Sequence, residues 1–363
     1  MLAYRAGPAR RSHTDDVNAV AEHIEEITAE WLSAALGREI RTVTAEQIGS
    51  GQTGASYRLS LDADDTPTSA VAKLAAGDQA ARRRVAQGYR AEVGFYTQLA
   101  ATLDVRAPRC WYGAIADDAL CFTLVLDDLA PLMPGVQVDG CPLTRAGDAV
   151  RNLAALHASR WNDDSLFDLD FFTRPTDRGA TYLGEILVPA TEAFVARYAA
   201  ELDSSEVATL RTVARSITDW QLARREPFAV VHGDYRLDNL MFPTEGDGVV
   251  ALDWQTVTVA PPTRDLAYFL GTSLHTEDRR VAEHELVASY HRELVARGVA
   301  GYDGARCFDD YRAGQLQGPF ITVMGSTYAT AVRTEQADRM FLAMIRRSCA
   351  AIRDLDSIGA ISG

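Results

Sequence analysis

The chain has 363 residues, 47% of them hydrophobic and 24% charged, which is long enough for two domains with separate cores. A formal net charge of −14 argues against a nucleic-acid binder, which carries a basic face. No apolar run approaches the length that spans a bilayer. Five scattered cysteines without CxxC spacing (Cys110, Cys121, Cys141, Cys307 and Cys349) fit reduced thiols in a cytoplasmic protein rather than a disulfide framework or zinc site.

Residues 1 to about 20 read as a loose polar arm, and no apolar run follows its paired arginines, so no secretory or twin-arginine signal is expected. ITAEWLSAALG predicts a short helix with Thr28 as N-cap and Gly37 as C-cap. IRTVTAEQIGSGQTGASYRLSLD predicts strand, glycine turn and strand, and TSAVAKLA a third strand. Helical spacing of Val85, Tyr89, Val93 and Tyr96 predicts a helix from about Gln79 to Leu103. Two strands joined by a DD turn follow in CWYGAIADDALCFTLVLDDL.

Beyond Asp128 long helical segments are expected near 143–161, 188–224, 277–297 and 306–356, the last broken at Gly325 or near Thr334. One β-rich island, residues 226 to 255, interrupts them. The expected organisation is a β-rich N-terminal lobe, residues 1–127, and a larger, mainly helical C-terminal lobe, residues 128–363, joined at LVLDDLAP.

GSGQTG, residues 49 to 54, satisfies G-x-G-x-x-G, a spelling shared by dinucleotide-binding folds and kinase phosphate loops. A dinucleotide fingerprint opens a helix, whereas YRLSLD after Gly54 alternates like a strand. A glycine loop between two strands can fold over phosphates and offer them backbone N–H groups; the bland reading is a flexible hairpin turn. Nineteen residues on lies Lys73, the one lysine in a chain whose 36 cationic side chains are otherwise arginine. A lysine is a compact point charge where arginine is a planar fork. Val71-Ala72-Lys73 is close to the V-A-I-K pattern, in which the lysine meets nucleotide phosphates and a helix carboxylate holds it. Glu92, on the next helix, is the candidate for that carboxylate.

VVHGDYRLDNLMF carries the densest chemistry. Asn239 follows Asp234 by five residues, and Leu252-Asp253-Trp254 follows nineteen after Asp234. Phosphoryl transfer needs one carboxylate to orient the acceptor hydroxyl and take its proton, and further oxygens to hold Mg²⁺. Asp234 fits the first role; Asn239 and Asp253 fit the second as hard oxygen ligands. Any single aspartate in a loop is more often a turn-former, so the weight rests on the ordered set.

With these motifs the chain resembles the aminoglycoside phosphotransferase and choline kinase superfamily, small-molecule kinases with a protein-kinase-like fold. HGDYRLDNLMF and ALDWQTVTVAPPTRDLAYFL are most similar to the phosphotransferases related to ecdysteroid kinases and to the kinase-like domains fused to acyl-CoA dehydrogenases. The likeness spans roughly residues 40 to 275. It implies an α+β, two-lobed protein-kinase-like fold, ATP and Mg²⁺ as cofactors, and a small hydroxylated molecule as partner rather than nucleic acid or membrane. Carried over by position, it implies Asp234 as base and Asn239 and Asp253 as metal ligands. Lys73 and Glu92 would be the phosphate-positioning pair, and Gly49, Ser50, Gly51, Thr53, Gly54 and Leu126 nucleotide contacts. Asp265 would brace the catalytic loop and His232 pack beneath it, while His157 reads as a helix-core histidine. Arg236 is divided between contacting the transferred phosphate and pairing with Asp238 or a neighbour.

Only twelve residues separate Asp253 from Asp265, which leaves little room for the activation segment of a protein kinase. A second class, a non-catalytic nucleotide-binding or scaffold protein, is disfavoured because base, metal ligands and lysine are all present. Residues 276 to 363 hold twelve Asp/Glu against eleven Arg, so a less charged or partly apolar hydroxylated acceptor is expected rather than an antibiotic with many amines, with an amino sugar or aminoglycoside as the alternative.

Overall fold

A computed structural model describes residues 20–49, 54–64, 67–223, 226–329 and 333–361. The N-terminal arm and glycine-loop residues Ser50, Gly51 and Thr53 lie outside the described residues. The chain forms two compact units. One holds the residues up to Arg84 with Cys110–Asp128; the other holds Val85–Arg109 with everything from Leu129 onward.

The first unit begins with helix α1 (Ala29–Leu36), where the Thr28 hydroxyl accepts the Trp31 N–H and Gly37 ends the helix in the left-handed region. Strands β1 (Thr42–Ile48), β2 (Gly54–Asp62), β3 (Ser69–Ala75), β4 (Cys110–Ile115) and β5 (Phe122–Asp127) form an antiparallel sheet in the order β1-β2-β3-β5-β4. Along β3 the two-residue period sends Ala70, Ala72 and Leu74 into a core with Leu32, Leu59, Leu61 and Val125, and leaves Val71 and Lys73 half-buried on the other face. Helix α2 (Gln79–Gly94) belongs to this unit up to Arg84 and to the second from Val85. It continues as a π-helical turn, Phe95–Leu99, so the helix expected to Leu103 is present with a change of pitch.

The second unit is mainly helical: α3 (Leu143–Ser159), α4 (Asp177–Arg197), α5 (Ser204–Ala223), α6 (Thr263–Ser273), α7 (Thr276–Ala296), α8 (Gly304–Gly314), α9 (Gln317–Met324) and α10 (Glu335–Asp354). Short strands build two small sheets. β6 (Met133–Pro134), β8 (Leu240–Phe242) and β9 (Val250–Ala251) form one, and β7 (Ala229–Val231) pairs with β10 (Thr258–Ala260) in the other. β10 and α6 fill the interval between Asp253 and Asp265, so no extended activation segment exists there.

Three expectations about helices need correction. The single helix over 188–224 is two helices, because Asp203 and Glu206 form a capping box: Asp203 Oδ1 accepts the Ser205 and Glu206 N–H groups and Glu206 Oε2 accepts the Asp203 N–H. The 306–356 stretch is α8, α9 and α10; Thr334 caps α10 as expected, but a further break falls at Gly314–Gln317. Helix α6 has no sequence expectation because its polar residues, Thr263, Arg264, Asp265, Thr272 and Ser273, gather at its two ends and leave only a short apolar run between them, too short to display a helical period. Among the described residues no helix is long and apolar enough to cross a membrane. All five cysteines are free thiols.

Candidate active site

Residues 232 to 239 form a tight loop between β7 and β8, and its backbone is held from α6. Asp265, completely buried, accepts the His232 N–H at 2.6 Å through Oδ2 and the Gly233 N–H at 3.0 Å through Oδ1. His157 Nε2 lies 3.5 Å from the same Oδ2, while its Nδ1 is 2.7 Å from the Tyr290 hydroxyl. His157, read from the sequence as a core histidine, thus abuts the loop's brace.

Gly233 sits at φ +82°, and a Cβ there would lie 2.5 Å from the Thr256 carbonyl oxygen. Gly233→Ala is expected to lower stability by about 2–3 kcal/mol, from left-handed strain plus the overlap, as read by chemical denaturation. A midpoint unchanged from wild type would contradict this geometry.

His232 has no nitrogen to spare. Its Nε2 lies 2.8 Å from the Leu252 carbonyl, which can only accept, so Nε2 carries the hydrogen; Nδ1 accepts the Asp234 N–H at 3.3 Å. The ring is fully buried, against Trp254 on one side and Tyr235 on the other.

The Asp234 carboxylate, with 23% of its side chain exposed, gathers three donors. Tyr268 donates its hydroxyl to Oδ1 at 2.7 Å; Arg236 Nε and Asn239 Nδ2 donate to Oδ2 at 3.2 and 3.0 Å. Burial, then the Asp234 charge, raises the Tyr268 pKa well above its ordinary value, so this hydroxyl keeps its proton as donor. Burial alone would lower the Arg236 pKa, but the carboxylates of Asp234 and then Asp238 outweigh it and raise it. Arg236 Nη1 pairs with Asp238 Oδ2 and lies 3.2 Å from the Met340 sulfur.

Asn239 donates its amide to both the Asp234 backbone oxygen, at 2.9 Å, and Oδ2. Both partners are acceptors, so this atom is the NH₂ group and Oδ1 remains as an oxygen donor. The β8–β9 hairpin brings Asp253 alongside: Leu240 pairs with Ala251, and Leu252 donates its N–H to the Asn239 carbonyl at 2.8 Å. Asp253 itself takes φ +60°, ψ +73°, a left-handed conformation uncommon for a residue with a side chain and typical of constrained sites.

Among the described residues no group of three or more His, Cys, Asp and Glu is arranged to hold a metal. Two oxygen donors, Asn239 Oδ1 and the Asp253 carboxylate, nonetheless suit a hard cation such as Mg²⁺, which takes one or two protein ligands and completes its shell with water and phosphate.

Glu92, 1% exposed, lies on the part of α2 that belongs to the second unit. That helix docks on the Asp253 segment: the Phe95 ring stacks on Trp254 with centroids 3.7 Å apart and planes 7° from parallel. In the first unit, Lys73 stands on the central strand β3, opposite Ser56 of β2 and Leu124 of β5. Leu126 is 6% exposed and faces Val71 across the β3–β5 pair. Gly49 and Gly54 flank the β1–β2 connection, Gly49 at φ +69°.

Tyr268 escaped the sequence reading, although its position one helical turn after Asp265 puts both side chains on one face of α6. That i, i+3 spacing was the available signal.

A family model described as "Phosphotransferase enzyme family" matches residues 44–310, well over half of the chain. Among curated proteins, the chain is 49% identical over 41 residues to the "Acyl-CoA dehydrogenase family member 11" of Gallus gallus; the match takes in 11% of this chain and 5% of that protein. Among solved structures, a choline kinase from Cryptosporidium parvum superposes with a TM-score of 0.55 at 10% identity, covering 88% of this chain and 91% of that one. The GDP complex of an aminoglycoside 2′-phosphotransferase variant gives 0.51 at 14% identity, covering 89% and 94%. At such identities the likeness is one of fold, the α+β protein-kinase-like fold. The chain belongs to the phosphotransferase enzyme family.

Proposed function

We propose that the protein transfers the γ-phosphate of ATP, with Mg²⁺, to a hydroxyl of a small molecule in the cytoplasm. The observation that carries this reading is the interlock of Asp234 and Asn239. One carboxylate is oriented by Tyr268, Arg236 and Asn239, and the backbone carbonyl of the same asparagine accepts the N–H of Leu252, the residue before Asp253. Asp234 takes the proton of the acceptor hydroxyl as that oxygen bonds to the γ-phosphorus and the bond from the γ-phosphorus to the bridging oxygen breaks, releasing ADP. Asn239 Oδ1 and the Asp253 carboxylate would hold Mg²⁺, which when bound neutralises charge on the phosphate oxygens. The role proposed for Lys73 and for Glu92 is phosphate positioning, and for Leu126 contact with the nucleotide base. Arg236, which holds both Asp234 and Asp238, keeps the base carboxylate aimed and offers its charge to the phosphate in transfer.

The acceptor proposed is a less charged or partly apolar alcohol rather than one with many amines. From α10 the Met340 sulfur adjoins Arg236, and acidic groups of the C-terminal helices are engaged: Asp338 with Arg333 and Tyr198, Asp354 with Arg279 and Arg280, Asp309 with Arg312.

The test is Mg²⁺-dependent transfer from ATP to a pooled panel of aminoglycosides, amino sugars, choline-like alcohols, hydroxyacyl thioesters and sterols, read by product mass. A lysine-reactive ATP probe run in parallel should label one peptide, that of Lys73, and ATP should protect it. Absence of protectable labelling would remove the nucleotide site. Phosphorylation of kanamycin-like compounds alone would overturn the acceptor class.

A further inference from the structure

The catalytic loop is also held from a place that no motif marks. β6 pairs with β8 through Met133–Phe242 and Pro134–Met241, and Gly135 extends the ladder by donating its N–H to the Leu240 carbonyl at 2.9 Å. A Cβ on Gly135 would lie 2.8 Å from the Leu237 carbonyl oxygen, so glycine lets the chain run flush under the loop. Two residues on, Gln137 is inserted beneath it with no solvent exposure.

Gln137 uses nearly every polar atom it has. Its Oε1 accepts the Leu237 N–H at 2.9 Å and the Ser273 hydroxyl at 3.3 Å; its Nε2 donates to the Thr272 carbonyl at 2.9 Å. Its backbone N–H donates to Asp238 Oδ1 at 2.9 Å, and its carbonyl accepts from Arg347 Nη1 at 2.7 Å. Arg347, on α10 and 7% exposed, also donates to the Thr272 and Val138 carbonyls at 3.2 and 2.7 Å. Burial lowers its pKa, with Asp139 acting against this. Asp238 in turn holds Arg236, and Arg236 holds Asp234. A continuous set of hydrogen bonds therefore runs from α10 through Gln137 and Asp238 to the carboxylate of Asp234.

We propose that Gln137 is a positioning residue for phosphoryl transfer, anchored by Arg347, which holds the Leu237–Asp238 turn so that Arg236 and Asp234 keep their alignment. This rests on the function proposed above. Gln137 touches no reacting group; it acts by fixing a turn whose displacement by about 1 Å would slow transfer by about 100-fold.

Two variants separate this from a filler role. Gln137→Leu keeps the volume and removes the acceptor for the Leu237 N–H. Gln137→Glu keeps that acceptor and gives up the donor to Thr272 unless protonated. The expected result is a fall in kcat of about 100-fold for Gln137→Leu, with KM for ATP within about threefold of wild type, and recovery to within about tenfold in Gln137→Glu. Wild-type kcat in Gln137→Leu would overturn the proposal, as would losses in both variants that simply follow the folded fraction measured by circular dichroism. Hydrogen exchange at the Leu237 amide needs no acceptor. Protection lost in Gln137→Leu and kept in Gln137→Glu supports the hold on the loop, and equal protection in all three proteins overturns it. A wild type silent on every acceptor, with the exchange difference intact, counts against the proposed function and not against that hold.

Discussion

Asp234→Asn should lower kcat by about 10²–10⁴-fold while leaving ATP affinity within a few fold of wild type. The substitution is nearly isosteric, and the surroundings can absorb it. The new amide oxygen can receive Arg236 Nε and Asn239 Nδ2, and the new NH₂ can face Tyr268, whose hydroxyl rotates to accept. Arg236 loses one carboxylate but retains Asp238. What disappears is the basic oxygen for the acceptor's proton. Single-turnover transfer and equilibrium nucleotide binding, measured on the same preparation, separate the two effects. A variant within tenfold of wild-type kcat would remove Asp234 as the base, and parallel loss of ATP binding would point to a collapsed loop.

Asp265→Ala should cost about 3–5 kcal/mol of stability, one of the largest losses available from a single side chain outside the apolar core. Asp265 is fully buried and accepts two backbone N–H groups that have no water to turn to. Removing it strands both donors, each at about 1–3 kcal/mol. Asp265→Asn should fall between, since its one oxygen can satisfy only one of the two donors while its NH₂ opposes the other. Urea denaturation of the three proteins reads this order directly. Equal midpoints for wild type and Asp265→Ala would mean that the His232–Gly233 backbone is held by something other than α6. Because Tyr268 lies one turn further along α6 and orients Asp234, loss of Asp265 is also expected to depress transfer in the fraction that remains folded.

Much of this protein was legible in its sequence because its chemistry is arranged locally. A five-residue interval between Asp234 and Asn239 is the length of one tight loop, and alternation along Ala70–Leu74 requires no partner to be recognised as a strand. A β-rich stretch followed by a mainly helical one was legible as period two giving way to period 3.6 near Asp128, but the grouping of Val85–Arg109 with the helical unit was not. Membership of a phosphotransferase family followed from the order of short motifs, each a few residues long.

The sequence did less well where burial removed contrast or where partners are distant in the chain. Helix α6 has its polar residues at its two ends with only a short apolar run between them, and the split between α4 and α5 lay in a capping box that a long apolar period obscured. His157 carried no signal of its proximity to Asp265, since a histidine on a buried helix face is ordinarily core.

Gln137 is the clearest case. Its bond to Leu237 spans 100 residues and is written in no local pattern, whereas the brace from Asp265 to His232, which spans 33, was expected through the family resemblance. By itself, then, the sequence determined which functional groups the protein owns and their order, because spacing within one loop or strand is set by backbone geometry alone. Only the tertiary structure decided which of them share hydrogen bonds, because that depends on how helices remote in sequence pack and on every buried donor needing an acceptor within reach.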